Sequence, residues 1–186
     1  PTAVERMAFS LQHRGPDDKG VYINGSVGFG FRRLSILDLS PSGHQPKISQ
    51  DGRKVLVFNG EIYNYIELRE ELRALGHHFE SSGDTEVLLA AYNEWGEDCL
   101  HKLNGMWAFL IYDVEEKKIF GSRDRFGVKP LYRYSSRDQI LFGSEIKAIL
   151  HSGYYKADIN LEVAARFLVQ DLLDVDNKTF YTGIEQ

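Results

Sequence analysis

Asn59 and Gly60 are neighbours whose donors can face an anionic oxygen, a side-chain amide on the first and a backbone N–H on the second. They follow the apolar run Val55, Leu56, Val57 and Phe58, which reads as a buried strand, so the pair is expected where that strand ends. Asn-Gly after apolar residues is also a type I′ hairpin signal. The residues beyond it argue for a strand feeding a helix. Asn64 and Glu67 fit a capping box, and Tyr65, Leu68, Leu72 and Leu75 recur at helical spacing up to Gly76. Arg33, beside the alternating apolar Leu34 and Ile36, presents a planar fork that suits a carboxylate; a surface arginine on an edge strand has the same local pattern. Asp84 opens the next helical pattern, where it either caps the helix or faces an ammonium, and sequence alone favours the cap.

The elements around these residues can be read in order. Val4, Met7, Ala8 and Leu11 predict a first helix, stopped by Gly15-Pro16-Asp17-Asp18. Residues 20–24 and 27–31 predict a hairpin about Asn24-Gly25-Ser26. Gly28 and Gly30 lack the third glycine of a dinucleotide fingerprint. Pro41 to Pro46 reads as a loop, and Val87, Leu88, Ala91 and Trp95 continue the helix that begins near Asp84. Residues 106–113, 117–123, 131–135 and 139–142 predict four successive strands in an antiparallel meander, with Arg123-Asp124-Arg125 paired internally at a strand end. Short helices are expected over 145–150 and 161–168. Asp171, Asp174 and Asp176 lack the EF-hand glycine and glutamate and read as a solvated loop. Helices segregated from antiparallel strands imply an α+β layered architecture with two sheets.

Composition narrows the function classes. At 186 residues and 42% hydrophobic, the chain can build one substantial core, so one domain over 1–186 is expected. A net charge of -5 without a basic aromatic run argues against a nucleic-acid surface. With neither an apolar run of membrane-spanning length nor a signal-peptide pattern, the expectation is no membrane partner and a cytoplasmic location. The single cysteine, Cys99, lies on the apolar side of a short helical pattern and reads as packed rather than catalytic. The six histidines lack ligand spacing, so no metal site is expected.

Seven segments in order carry a family resemblance: residues 13–17 (His-Arg-Gly-Pro-Asp), 33–38 (Arg-Leu-Ser-Ile-Leu-Asp), 58–64 (Phe-Asn-Gly-Glu-Ile-Tyr-Asn), 83–86 (Gly-Asp-Thr-Glu), 103–106 (Leu-Asn-Gly-Met), 123–127 (Arg-Asp-Arg-Phe-Gly) and 129–132 (Lys-Pro-Leu-Tyr). The chain resembles the class II glutamine amidotransferase domain of glutamine-hydrolysing asparagine synthetases. The resemblance implies a four-layer αββα sandwich of the N-terminal nucleophile hydrolase type, with mainly antiparallel sheets. It implies that Arg33 holds the α-carboxylate of L-glutamine near the backbone of Leu34, Ser35, Ile36 and Leu37, and that Asp84 takes the α-ammonium. Asn59 and Gly60 become the oxyanion hole, with Glu61 lining the same pocket.

In that family the nucleophile is an N-terminal cysteine assisted by its own α-amino group. Residue 1 here is Pro1, so the expectation is an internal fragment, inactive by itself and lacking the cysteine strand and the synthetase domain. The resemblance implies no cofactor in this domain, with ATP and Mg in the synthetase domain. The implied partners are L-glutamine, that C-terminal domain and a second copy in a homodimer. Two alternatives are a relative with another acceptor and a nucleophile-less glutamine-sensing or docking module.

Overall fold

A computed structural model describes residues 2–34, 43–173 and 175–186, which form two compact units. Residues 12–129 make up the larger unit; residues 1–11 and 130–186 make up the other. The described candidate site residues, Arg33, Leu34, Asn59, Gly60, Glu61 and Asp84, belong to the larger unit. Ser35, Ile36 and Leu37 lie outside the described residues, as does Asp174.

In the larger unit, β1 (Asp18–Asn24) and β2 (Val27–Arg33) form the expected hairpin, with Asp18 opposite Arg33 and Asn24 opposite Val27. A separate four-stranded antiparallel sheet has the order β3-β4-β5-β6, built from β3 (Lys47–Ile48), β4 (Lys54–Ile62), β5 (Gly105–Asp113) and β6 (Lys118–Arg123). Two helices, α2 (Tyr65–Ala74) and α3 (Asp84–Trp95), follow β4. Side chains alternate across a strand, so Leu56, Phe58 and Ile62 share one face of β4. That face packs with Trp107, Phe109 and Ile111 of β5 against Leu68 and Leu72 of α2 and Val87, Leu88 and Ala91 of α3. Val57, Asn59 and Glu61 therefore belong to the opposite face.

In the other unit, α1 (Ala3–Ser10) begins with a Thr2/Glu5 capping box, and α4 (Ile146–Leu150) and α5 (Leu161–Gln170) fall close to the two short helices read from the sequence. Its sheet has the order β8-β7-β9, from β7 (Tyr132–Ser135), β8 (Ile140–Gly143) and β9 (Ile184–Glu185).

Three local expectations are corrected. First, the strand does not end at Phe58: it runs through Asn59 and Gly60 to Ile62, because β5 pairs with it along its full length. Second, Asn64 precedes α2 without capping it through its side chain. Its Oδ1 accepts from Asn104 N at 2.9 Å and its Nδ2 donates to Lys102 O at 2.9 Å, tying the helix start to the segment that enters β5. Third, the four late strands are two pairs in different sheets, with β5 and β6 in one and β7 and β8 in the other.

Asp124 accounts for that break. Its buried carboxylate accepts backbone N–H groups from Trp107, Phe126, Val128 and Lys129, which winds the chain into a compact loop where a meander would need a tight hairpin. Burial alone would raise its pKa, yet these hydrogen bonds hold it below the usual carboxylate value. A depressed folded-state pKa contributes stability above the unfolded value and loses it as pH falls through the folded one. The protection factors for amide exchange at Phe126, Val128 and Lys129 should therefore be high at neutral pH and drop as pH falls below the ordinary carboxylate range. Asp124→Ala should destabilise the fold by about 2 kcal/mol or more, since four N–H groups lose their acceptor.

Candidate active site

The backbone of β4 establishes which way its donors point. Trp107 lies opposite Gly60, but both Trp107 backbone groups serve Asp124: its N–H reaches Asp124 Oδ2 at 3.2 Å and its carbonyl accepts from Asp124 N at 2.8 Å. Hydrogen bonding alternates along an antiparallel strand, so Gly60 is in a non-bonded pair and its N–H faces away from β5. Phe58 and Ile62 point their backbone the same way. Phe58 N donates to Gln45 Oε1 at 2.7 Å and Phe58 O accepts from Gln45 Nε2 at 3.1 Å, while Ile62 N donates to Asp84 Oδ2 at 3.0 Å. The Gly60 N–H thus lies on the edge of β4 between these two anchors, and no bond to it is made among the described residues. A Cβ at Gly60 would run into the Met106 carbonyl, the Phe58 ring and the Trp107 backbone, so only glycine fits.

Asn59 occupies the other face, and its Nδ2 is buried without a hydrogen-bond partner. An unmet buried donor costs stability, and such groups mark functional positions when nothing else explains them. A neutral amide and a neighbouring N–H on a rigid strand are equipped to receive a developing oxyanion.

Asp84 is 6% exposed and begins α3, one residue after Gly83, which holds the N-cap position without a side-chain cap bond. Its carboxylate accepts from Ile62 N, with Thr85 N and its own N–H also close. Burial pushes its pKa above the usual value despite those donors, and the nearby Glu61 charge pushes it the same way. Among the described residues no basic side chain pairs with it, so a bound ammonium would find two carboxylates and no competing cation.

The loop before Asp84 is braced from two sides. Arg69 Nη2 donates to Gly83 O at 2.8 Å, with the guanidinium over the Tyr65 and Phe79 rings. Glu86 accepts from Ser81 N at 2.8 Å, Ser81 Oγ at 2.6 Å and Glu80 N at 3.2 Å. Within the Gly-Asp-Thr-Glu segment, Glu86 thus shapes the loop, while the Asp84 carboxylate anchors the end of β4 at Ile62.

Arg33 is half-buried at the end of β2, and its guanidinium lies directly against Gly43. Leu34 is 56% exposed. Residues 43–45 connect the hairpin to β4: Gly43 meets Arg33, His44 Nδ1 is 2.7 Å from Asp18 Oδ2, and Gln45 holds Phe58. Sequence reasoning missed Gln45. Nothing in a turn-rich segment between prolines marks one glutamine as a buried anchor.

Cys99 is buried in the core of the larger unit, and desolvation, with the Asp98 and Glu97 charges, pushes its thiol up to about 11. A thiol of that kind is inert at neutral pH. Among the described residues, no group of three or more His, Cys, Asp or Glu is placed to hold a metal ion, and no helix is long and apolar enough to cross a membrane.

This fold is shared with two solved structures. The chain superposes on the glutamine phosphoribosylpyrophosphate amidotransferase of B. subtilis, complexed with ADP and GMP, with a TM-score of 0.66 at 23% identity, over 84% of this chain and 42% of that one. It superposes on a structure described as the allosteric regulatory enzyme of purine biosynthesis with a TM-score of 0.71 at 24% identity, over 81% and 40%. Helices combined with antiparallel sheets bear out the α+β fold class expected from the sequence.

Residues 1–186 match the family described as glutamine amidotransferase domain, and the chain belongs to that family. It is 49% identical over 147 residues to asparagine synthetase [glutamine-hydrolyzing] 1 of Bacillus subtilis, covering 79% of this chain and 23% of that protein. Asparagine synthetase [glutamine-hydrolyzing] 3 of the same organism is 45% identical over 159 residues, covering 84% and 26%. Amidase chry2 of Gibberella zeae is 36% identical over 186 residues, covering 97% and 27%. The chain spans about a quarter of the length of these relatives.

Proposed function

We propose that this chain forms the glutamine-binding part of a glutamine-hydrolysing asparagine synthetase, which releases ammonia from L-glutamine and delivers it to an ATP-activated aspartate. The observation that carries the reading is the buried, unpartnered Asn59 Nδ2 beside the outward Gly60 N–H, on a strand whose next anchor is the Asp84 carboxylate, with no basic partner among the described residues. Arg33 takes the glutamine α-carboxylate and Asp84 its α-ammonium. Leu34, Ser35, Ile36 and Leu37 flank the carboxylate and Glu61 adds to the negative side of the pocket. The nucleophile is the cysteine thiol that the family resemblance places at the N-terminus, since Cys99 is enclosed in the core.

The chemistry balances without a metal or redox step. Sulfur bonds to the side-chain carbonyl carbon, the oxyanion forms against Asn59 and Gly60, and the C–N bond breaks as nitrogen takes the thiol proton and leaves as ammonia. Water then cleaves the thioester, releasing glutamate and restoring the thiol. ATP and Mg serve the synthetase part. That part is the chief partner of this chain, alongside a second copy in a homodimer and a cytoplasmic setting. The identities of 49% and 45% favour aspartate as the acceptor over the alternative raised by the 36% match to an amidase.

Glutamate appearance, followed in the full-length protein without ATP, tests the hydrolysis directly. Glutamate and ammonia should form in equal amounts from L-glutamine. Glutamine binding without turnover would instead favour a sensing module.

A further inference from the structure

Strand β3 covers the edge of β4 at only two positions, Lys47 opposite Leu56 and Ile48 opposite Val55. Continued in the same register, the chain before Lys47 would lay main chain beside Phe58 and then beside Gly60, closing the edge. It does neither. At Phe58 the Gln45 side chain stands in for a strand residue, its carboxamide accepting from Phe58 N at 2.7 Å and donating to Phe58 O at 3.1 Å. The main chain meanwhile turns away, with Gly43 against the Arg33 guanidinium and the Gln45 carbonyl against Gly20, where no Cβ would fit.

We infer that Gln45 is a positioning residue for glutamine hydrolysis: it anchors β4 at Phe58 with a side chain, so that no described residue covers the Gly60 N–H and Asn59 keeps its place. Gln45 is 5% exposed, so its carboxamide is protected from competing water. Its two hydrogen bonds restrain the peptide entering Asn59, while Asp84 restrains Ile62 on the far side of Gly60. Oxyanion donors act through placement, so slack at this anchor shows in the chemical step rather than in the grip on the glutamine α-groups.

The inference rests on the proposed glutamine site, and the test separates the two. In the full-length protein, Gln45→Met should lower kcat for glutamine hydrolysis by about 30-fold or more, approaching the loss of one oxyanion donor, with the glutamine Kd within about threefold. Gln45→Glu keeps the acceptor for Phe58 N and sets a carboxylate against Phe58 O. Its deficit should shrink at lower pH, where a protonated Glu regains the donor. Adding Gln45→Met to Asn59→Ala should cost much less than it does in the wild type, because both act through the same donors.

An Asn59→Ala variant with wild-type kcat would sink the site reading and this inference with it. A full Asn59→Ala deficit, with Gln45→Met lowering only the melting temperature, would overturn this inference alone. Parallel losses of kcat and glutamine affinity in Gln45→Glu would likewise overturn it, by making Gln45 a substrate anchor.

Discussion

Asn59→Ala is expected to lower kcat for glutamine hydrolysis by about 10² to 10³, or roughly 3 to 4 kcal/mol of transition-state stabilisation, with KM changed only a few-fold. The size follows from the placement of the amide. Its Nδ2 is buried without a hydrogen-bond partner, so in the proposed oxyanion role it would meet the developing charge with little reorganisation. Removing a buried donor that has no partner also removes its desolvation cost. The melting temperature of Asn59→Ala should therefore hold or rise while activity collapses. A side chain with only a packing role would give the reverse pattern, and a thermal melt beside a steady-state assay distinguishes the two.

Asp84→Asn is expected to weaken glutamine binding by about 2 to 5 kcal/mol, at least roughly 30-fold in Kd, because the ammonium loses its buried counter-charge. The stability of the free protein should respond differently. The folded-state pKa of Asp84 lies above the ordinary value, so its ionised form costs the fold stability. That cost is absent below the unfolded pKa and complete above the raised one, so at neutral pH the neutral asparagine should leave the melting temperature unchanged or higher. Gain of stability with loss of binding marks a group held strained for a ligand. In the wild type, glutamine affinity should strengthen as pH rises from acid through the raised pKa, since only the carboxylate pairs with the ammonium.

Which parts of this were legible in the sequence depended on where each interaction is made. Helices α2 and α3 declared themselves through apolar spacing, and Leu68, Leu72, Val87, Leu88 and Ala91 are buried as that spacing requires. The β1-β2 hairpin was equally local. The end of β4 was misread because the apolar run stops at Phe58, while the strand is carried on by ladder pairing with β5, whose partner residues lie far along the chain. Asn64 resembled a cap but serves Asn104 and Lys102, and Asp124 resembled half of an ion pair but gathers backbone N–H groups.

The candidate site divides in the same way. Residue types nominated Arg33, Asn59, Gly60 and Asp84. What the structure added was direction, namely which edge Gly60 faces, that Asn59 Nδ2 lacks a partner, and that Asp84 lies one residue past the N-cap position of α3. Gln45 was invisible because a side chain replacing a strand residue leaves no periodic trace in sequence.

The most direct test of the central claim, that Arg33, Asp84, Asn59 and Gly60 form one glutamine site, is calorimetric titration of the 186-residue chain with L-glutamine across a range of pH. One equivalent should bind, more tightly as pH rises from acid toward neutrality, with proton release where Asp84 is still protonated, and Asp84→Asn should weaken binding by at least roughly 30-fold and abolish the proton release. Absence of binding, or binding with the same affinity and pH profile in Asp84→Asn, would contradict the account.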